Sequence, residues 1–233
     1  MRVKVCGITR REDAELAVDL GAAAIGLVFW PGSPRFIGPD RAKAIVDTLP
    51  PFVTAVGVFV DQPGEFVEET AAMAGLGAVQ LHGSETVAYC RGLVTKLRLK
   101  SPSDALVSQD GEPSLLGPVI RAIGLAETLD SMSVHAWPAG ITLLLDAHDP
   151  SQHGGTGRTV NWALAARIAA MRRTILSGGL RPDNVAAALD AVRPYAIDVS
   201  SGVEARPGVK DHDRMRAFFH AVEKASAVGG VRL

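Results

Sequence analysis

The segment VKVCGITRREDAELAVDLGAAAIGLVF, residues 3–29, contains the clearest structural pattern of the chain. It predicts a strand over Val3–Cys6, a helix over Arg11–Leu20 and a second strand over Ala24–Phe29. Both strands are mostly apolar along their length, as expected for strands of a parallel sheet that is covered on both faces. A strand, a helix and a second strand in this order are typical of a βαβ unit.

The same unit recurs along all 233 residues, and eight repeats in a chain of this length predict a closed barrel. The fold class we expect is therefore α/β, a single (β/α)₈ TIM barrel over residues 1–233 with its active site at the C-terminal strand ends. The first strand is followed by no Gly-x-Gly-x-x-Gly motif, which argues against a dinucleotide-binding sheet. The remaining strands are predicted at Ala55–Val60, Ala78–Leu81, Thr95–Leu99, Thr142–Asp146, Thr174–Ser177 and Ala196–Ser200.

The least regular part of the chain is the segment at 101–140. It is longer than a barrel needs, and its Ser, Pro and Gly content predicts a solvated excursion rather than a second domain. We expect the fifth helix within Leu115–Leu129. The other helices are predicted at Pro39–Leu49, Gly64–Ala74, Ser84–Leu93, Trp162–Met171, Pro182–Val192 and Asp211–Ala225.

Composition excludes several classes of function. Lys and Arg total 24 against 25 Asp and Glu, so we expect no general attraction to nucleic acid or anionic membranes. Two cysteines, Cys6 and Cys90, make no disulfide framework, and the six histidines show no metal-ligand spacing. Without a signal peptide or an apolar run of roughly 18–20 residues, the chain is expected to be soluble and cytoplasmic.

Candidate catalytic residues are the polar side chains at the C-terminal strand ends, the catalytic face of such barrels. Cys6 ends the first strand, where a thiol suits a base or nucleophile, although a small buried hydrophobe is the simpler interpretation in isolation. Asp146 ends an apolar run, which favours a protonated carboxyl and a general acid, with a turn-forming Asp as the alternative. The further candidates are Arg35, Asp61, Gln80, His82 and Asp198.

Two glycine-rich turns follow the seventh and eighth strands, the usual phosphate site of this architecture. Glycines let backbone N–H groups converge on an anion, although a single pair is equally compatible with a tight turn. The predicted phosphate-binding residues are Ser177, Gly178 and Gly179 in one loop and Ser200, Ser201 and Gly202 in the other. Gly155, in Gly154-Gly-Thr-Gly157, is either a third contact or part of an ordinary surface loop.

Arg35 lies in a loop stiffened by two prolines, where a guanidinium can bind a carboxylate through two hydrogen bonds, or can be merely solvated. Together these candidates predict proton-transfer chemistry on an anionic sugar phosphate, with no cofactor and no metal, because they combine a thiol, a carboxylic acid, an arginine and a phosphate-binding site. An isomerisation is consistent with this set of groups, since an acid and a base on nearly opposite strands can act on two faces of one substrate.

The chain resembles the phosphoribosylanthranilate isomerase family of tryptophan biosynthesis, in order and over nearly its whole length. The segments that carry the resemblance are Lys4-Val-Cys-Gly-Ile-Thr9, Gly26-Leu-Val-Phe-Trp-Pro-Gly-Ser-Pro-Arg-Phe-Ile37, Val56-Gly-Val-Phe-Val60, Val79-Gln-Leu-His-Gly83, Leu144-Leu-Asp146 with Gly154-Gly-Thr-Gly157, Leu176-Ser-Gly-Gly-Leu180, and Asp198-Val-Ser-Ser-Gly-Val-Glu204 with Pro207-Gly-Val-Lys-Asp211.

The resemblance implies an Amadori rearrangement of N-(5-phosphoribosyl)anthranilate to 1-(2-carboxyphenylamino)-1-deoxyribulose 5-phosphate. In that family the residue matching Asp146 protonates the furanose ring oxygen, and the residue matching Cys6 removes the proton from ribose carbon 2. The residue matching Arg35 holds the anthranilate carboxylate. His82 and Asp198, with Gln80 beside them, are then expected to line the substrate pocket.

One departure from the family pattern is Val160-Asn161-Trp162, where an aspartate usually precedes the tryptophan; Asn161 is expected to cap the helix as well. Two alternatives remain. A sugar-phosphate isomerase of the histidine-pathway type uses two aspartates, one of them where Cys6 stands, and a non-catalytic barrel would only bind phosphate ligands. The oligomeric state is expected to be monomer or homodimer.

Overall fold

The computed structural model describes residues 1–97, 119–125, 134–147 and 161–228. Eight parallel strands close into a barrel in the order of the chain, with β8 pairing with β1, so the predicted fold class is confirmed. The strands are β1 (Arg2–Cys6), β2 (Ala24–Val28), β3 (Thr54–Phe59), β4 (Ala78–Leu81), β5 (Val119–Leu125), β6 (Thr142–Ala147), β7 (Thr174–Leu176) and β8 (Ala196–Val199).

Helices cover the outside of the barrel, and a small hairpin follows β8. The hairpin consists of β9 (Glu204–Arg206) and β10 (Val209–Lys210), and a short 3₁₀ helix at Ser201–Val203 precedes it. No helix within the described ranges is long and apolar enough to cross a membrane. The helices are α1 (Arg11–Asp19), α2 (Pro39–Val46), α3 (Gly64–Ala74), α4 (Val87–Lys96), α5 (Trp162–Met171), α6 (Val185–Val192) and α7 (His212–Val228).

Side chains alternate between the two faces of each strand, and this alternation separates two apolar layers. Leu143 and Leu145 of β6 belong to the large outer core, together with helix residues such as Ala165 and Ile168. Leu144 belongs to a separate inner cluster whose buried members all lie on strands. The barrel is therefore filled by its own inward side chains and is not an open pore.

The inner layer also explains why the barrel mouth is polar. Two residues after Leu144, Ile175 and Ala196 of the inner cluster come Asp146, Ser177 and Asp198, which the alternation directs to the same face. Apolar side chains therefore fill the middle of the barrel, and the next inward position on several strands places a polar group near the C-terminal end. The sequence pattern alone concentrates chemistry at this end.

The fifth strand was predicted in the wrong place. The expected strand Thr95–Leu99 begins inside α4, which continues to Lys96, and residues 98 and 99 lie outside the described ranges. The fifth strand is Val119–Leu125, within the segment where a helix was expected, and it pairs with β4 and β6. Its Arg121 donates to the carbonyls of Leu81 and Gly83 at 3.0 and 2.8 Å, so long-range contacts stabilise this strand.

Candidate active site

A single cavity at the C-terminal ends of the strands brings the predicted site residues together. All of them line it except Asp61 and Gly155. Asp61 is instead bound to the loop after β4, where its carboxylate accepts hydrogen bonds from the N–H and hydroxyl groups of Ser84 at 2.6 and 2.8 Å. Gly155 lies outside the described residues, as does the whole loop 154–157. The contributions come from strands and loops far apart in the chain, as in other barrels of this architecture. The predicted residues in the wall are Cys6, Arg35, Gln80, His82, Asp146, Ser177, Gly178, Gly179, Asp198, Ser200, Ser201 and Gly202.

Cys6 lies at the end of β1 beside a buried ammonium group. Lys4 is the preceding inward residue of β1, and its Nζ donates to Asp198 Oδ1 at 2.8 Å, with both side chains 5% exposed. A Cβ added at Gly26 of β2 would lie 2.7 Å from Cys6 Sγ and 3.1 Å from Lys4 Nζ. The thiol and the ammonium therefore share the space left by the missing side chain of Gly26.

The charges around Cys6 act in opposite directions on its thiol. Burial raises the pKa of Cys6 above its ordinary value of 9.0, and the positive charge of Lys4 opposes this effect without cancelling it. Burial lowers the pKa of Lys4, but the charges of Asp198 and Cys6 outweigh it and leave that pKa raised. Lys4 is therefore a permanent cation that favours the thiolate whenever Cys6 ionises.

Asp146, at the end of β6, is held by a chain of polar side chains from β4 and its loop. His82 Nε2 lies 3.1 Å from Asp146 Oδ2, and His82 Nδ1 lies 2.8 Å from Gln80 Nε2. With the Gln80 amide donating to Nδ1, the histidine proton is on Nε2 and points at the carboxylate. Gln80 and His82 thus fix the orientation of Asp146, which is 7% exposed at the edge of the cavity.

Arg35 reaches the cavity from the loop after β2, and its guanidinium is bound on one edge by Glu204. Nε and Nη2 of Arg35 donate to the two oxygens of Glu204 at 2.9 and 2.7 Å. The arginine stem lies against Gly7, where an added Cβ would be 2.5 Å from Arg35 Cδ. The alternative of a merely solvated loop arginine is excluded, because this side chain is 13% exposed and forms two hydrogen bonds with Glu204.

The two glycine-rich loops also meet in the wall of the cavity. Gly178 and Gly179 have φ values of 84° and 62°, in the left-handed region that favours glycine. A Cβ at Gly202 would lie 1.9 Å from the Leu180 carbonyl oxygen, so the two loops approach more closely than a side chain permits. The 3₁₀ helix at Ser201–Val203 stands where barrels of this class carry the short helix of a phosphate site.

The sequence analysis missed three charged residues of this region: Lys4, Glu204 and Lys210. The alternation of β1 signals Lys4, because a lysine inside an apolar strand and in phase with Cys6 must share its inward face. Glu204 and Lys210 give no comparable signal, since both belong to the hairpin after β8 and approach the site only through tertiary structure. Within the described part of the chain, no group of three His, Cys, Asp or Glu side chains is arranged to hold a metal.

Comparison with known proteins agrees with this geometry. The family model of N-(5'-phosphoribosyl)anthranilate isomerase matches residues 3–105 and 108–221. The chain belongs to this family. A relative from Pelobacter propionicus, an N-(5'-phosphoribosyl)anthranilate isomerase, is 45% identical over 224 residues, which are 96% of each chain. The family resemblance inferred from the motifs is therefore confirmed.

Solved structures of the family share the fold. A phosphoribosyl anthranilate isomerase in complex with reduced 1-(o-carboxyphenylamino)-1-deoxyribulose 5-phosphate superposes with a TM-score of 0.78 at 38% identity, over 96% of this chain and 99% of that chain. Monomers generated from a dimeric isomerase of Thermotoga maritima superpose with a TM-score of 0.75 at 36% identity and the same coverage.

The departure at Asn161 has little structural consequence. The Asn161 side chain accepts a hydrogen bond from the Leu164 N–H at 3.2 Å and caps α5, as the sequence predicted. The helix keeps its N-terminal hydrogen bond although it lacks the carboxylate usual in the family. Cys90, by contrast with Cys6, is fully buried in the outer core, in agreement with a structural role.

Proposed function

We propose that this protein catalyses the isomerisation of N-(5-phosphoribosyl)anthranilate to 1-(2-carboxyphenylamino)-1-deoxyribulose 5-phosphate. The observation that carries the proposal is the composition of one cavity, which joins a thiol, a carboxyl, an arginine and the glycine loops after β7 and β8. Family membership supports the same reaction. No group outside the chain is required, because the rearrangement moves protons and leaves the oxidation state of the whole molecule unchanged.

Asp146 is the proposed general acid. Its proton passes to the furanose ring oxygen, the bond between that oxygen and carbon 1 breaks, and the nitrogen lone pair forms a Schiff base. The hydrogen bond from His82 supports this role, because it orients the carboxyl at 3.1 Å in the wall of the cavity. A general acid held in this way contributes roughly 10²–10⁴ to the rate.

Cys6 is the proposed general base. Its thiolate takes the proton from ribose carbon 2, and the electrons of that C–H bond form the enolamine, which tautomerises to the ketone. The raised pKa of Cys6 means that the thiol is largely protonated in the free protein at neutral pH. The adjacent Lys4 ammonium supports the role, because it stabilises the small fraction of thiolate that reacts.

Separate groups in the cavity wall are proposed to bind the carboxylate and the phosphate of the substrate. Arg35 is proposed to hold the anthranilate carboxylate. The backbone around Gly178, Gly179 and Gly202 is proposed to hold the phosphate, with Gly155 as a further contact. Gln80 and His82 are proposed to line the middle. Asp198 is proposed to act beside the substrate through Lys4, to which it is bonded at 2.8 Å.

The experiment that tests the function follows the loss of phosphoribosylanthranilate fluorescence with purified protein. Turnover that disappears in Cys6→Ser and in Asp146→Asn supports the assignment. A protein that binds a reduced product analogue without turnover would overturn it in favour of a non-catalytic barrel. Turnover of the aminoimidazole carboxamide ribotide precursor of histidine biosynthesis, with none of phosphoribosylanthranilate, would replace it by the histidine-pathway activity.

We also propose that the enzyme works in the cytoplasm as a monomer or homodimer, with no nucleic acid or membrane partner. The dimeric relative supports a homodimer, and the balanced charge of the chain supports the lack of polyanionic partners. Sedimentation equilibrium of the purified protein distinguishes monomer from homodimer.

A further inference from the structure

A buried cluster of three charges lies behind the carboxylate-binding end of the cavity. Glu204 begins β9 and Lys210 ends β10, and their side chains are 4% and 0% exposed. Glu204 Oε1 accepts from Lys210 Nζ at 3.0 Å and from Arg35 Nε at 2.9 Å, and Oε2 accepts from Arg35 Nη2 at 2.7 Å. The hairpin therefore brings an anion to the back of Arg35.

The way in which Glu204 binds Arg35 leaves the other edge of the guanidinium able to bind a second carboxylate. A guanidinium has five N–H donors in one plane, and the fork with Glu204 uses one on Nε and one on Nη2. The remaining N–H groups on Nη1 and Nη2 form a second edge that matches a carboxylate with two parallel hydrogen bonds. Arg35 lines the cavity, and this second edge is the one that Glu204 does not use.

The charge of the cluster favours a bound anion. Burial raises the pKa of Glu204, but its hydrogen bonds to Arg35 and the charge of Lys210 outweigh this effect, and the net shift is downward. Glu204 is therefore ionised at neutral pH. Burial lowers the pKa of Lys210, and the charge of Glu204 opposes this effect. With Lys210 protonated, the two basic groups exceed Glu204 by one positive charge, which one ligand carboxylate would neutralise.

Lys210 also connects the cluster to the catalytic strand. Its Nζ donates to the carbonyl of Cys6 at 2.6 Å and to the carbonyl of Ser200 at 3.1 Å. The same ammonium thus bonds to the end of β1, to the loop after β8 and to Glu204. Arg35 is therefore connected to the backbone of Cys6 through Glu204 and Lys210.

We propose that Glu204 is a positioning residue that aims Arg35 at the aryl carboxylate of the substrate and so determines the preference for a carboxylate-bearing aryl group. The inference rests on the proposed function, because it takes Arg35 as the carboxylate-binding residue. Glu204 itself does not touch substrate; it fixes the plane and the free edge of the guanidinium.

The test compares two ligands by isothermal titration calorimetry: the reduced product analogue made from anthranilate and the same compound made from aniline, which lacks the carboxylate. The ratio of their dissociation constants measures the carboxylate preference of each protein. Glu204→Gln replaces one of the two carboxylate oxygens that accept from Arg35 by an amide nitrogen. Glu204→Asp keeps the charge, but its side chain is too short to reach the guanidinium in the same way. In each variant the ratio of the dissociation constants should change by about tenfold or more toward equal binding, which is the size of one charge-assisted hydrogen bond.

Binding of the aniline analogue should stay within about threefold of wild type, since only the carboxylate contact is affected. Glu15→Gln, which breaks the exposed pair with Arg11, is the matched control and should change neither ligand. An unchanged ratio in both Glu204 variants would overturn the inference. So would an equal loss for both ligands, which indicates a general structural effect, or a loss in Glu204→Gln alone, which indicates charge rather than positioning.

Arg35→Met separates this inference from the proposed function. If Arg35→Met abolishes the carboxylate preference and the Glu204 variants keep it, the role of Glu204 is wrong and that of Arg35 stands. If Arg35→Met itself keeps the preference, the proposed role of Arg35 fails, and the inference built on it fails for that separate reason.

Discussion

Lys4 and Asp198 form an ion pair inside the barrel, with Nζ and Oδ1 2.8 Å apart, one inward position before Cys6. Neighbouring strands carry them, since β1 and β8 pair with Lys4 opposite Asp198 in register. Two charges this deeply buried are costly unless each satisfies the other. Asp198 thereby keeps Lys4 charged and in place, and Lys4 is left to act on the thiol beside it.

Replacing Lys4 should raise the pKa of Cys6. Lys4→Met removes the cation that favours the thiolate and leaves Asp198, which disfavours it, so the midpoint should rise. The measurement is the rate of iodoacetamide alkylation of Cys6 against pH. Lys4→Met with Asp198→Asn removes both charges and should show a smaller rise, while an unchanged midpoint in Lys4→Met would contradict the role of Lys4.

The alkylation experiment has a natural background control in the second cysteine. Cys90 is fully buried in the outer core, whereas Cys6 lines the cavity, so the reagent should reach Cys90 far more slowly than Cys6. Cys6→Ser reports the remaining reaction of Cys90 directly. The difference between the two proteins gives the profile of Cys6 alone.

The residual kcat/KM of Asp146→Asn should rise with pH through the neutral range. With the carboxyl replaced by an amide, the remaining reaction depends on the fraction of Cys6 that is thiolate, and burial raises the pKa of this thiol above its ordinary value of 9.0. The rate should therefore level off only above pH 9. A residual rate that does not change between pH 6 and pH 9 would contradict the role of Cys6 as the base.

Asp146→Asn should depress kcat far more than binding. The amide cannot give a proton to the ring oxygen but keeps the shape of the side chain, so kcat should fall by about 10²–10⁴. The dissociation constant of the reduced product analogue should stay within about threefold. A variant whose only change is a higher Michaelis constant would remove Asp146 from the acid role.

Gly202→Ala should weaken binding at the phosphate end. The added methyl would lie 1.9 Å from the Leu180 carbonyl oxygen, so the loops after β7 and β8 must separate. Affinity for the reduced product analogue should fall by about tenfold or more, and affinity for its dephosphorylated form should change much less. Gly92→Ala, where an added Cβ meets nothing within 4 Å, is the control, and equal affinities in both variants would contradict the assignment.

The parts of the fold that could be predicted from sequence are those with strong local patterns. Seven of the eight strands were predicted close to their observed bounds, because each is a short apolar run between turn residues. The fifth failed because Val119–Leu125 contains Arg121 and Gly124, which interrupt such a run. Arg121 is nevertheless buried, since Glu85 and two carbonyls at the end of β4 and just after it bind its guanidinium, and those contacts are not visible in sequence.

In the candidate site, too, the residues with local sequence signals were predicted and the long-range contacts were not. Cys6, Asp146 and the glycine loops were found because strand ends and glycine pairs are local signals. The sequence identified Arg35 but not its partner, since Glu204 lies 169 positions away and meets it only in the folded barrel. Gln80 and His82 were predicted as wall residues, yet their alignment with Asp146 depends on the side-chain geometry of two strands.

The role of Cys6 as the base is tested most directly by the single-turnover rate of Cys6→Ser with phosphoribosylanthranilate. We expect this rate to be lower than that of wild type by at least about 100-fold, because an alcohol is a far poorer base than a thiolate. The variant should still bind the reduced product analogue as tightly as wild type. A single-turnover rate near that of wild type would show that Cys6 is not the base.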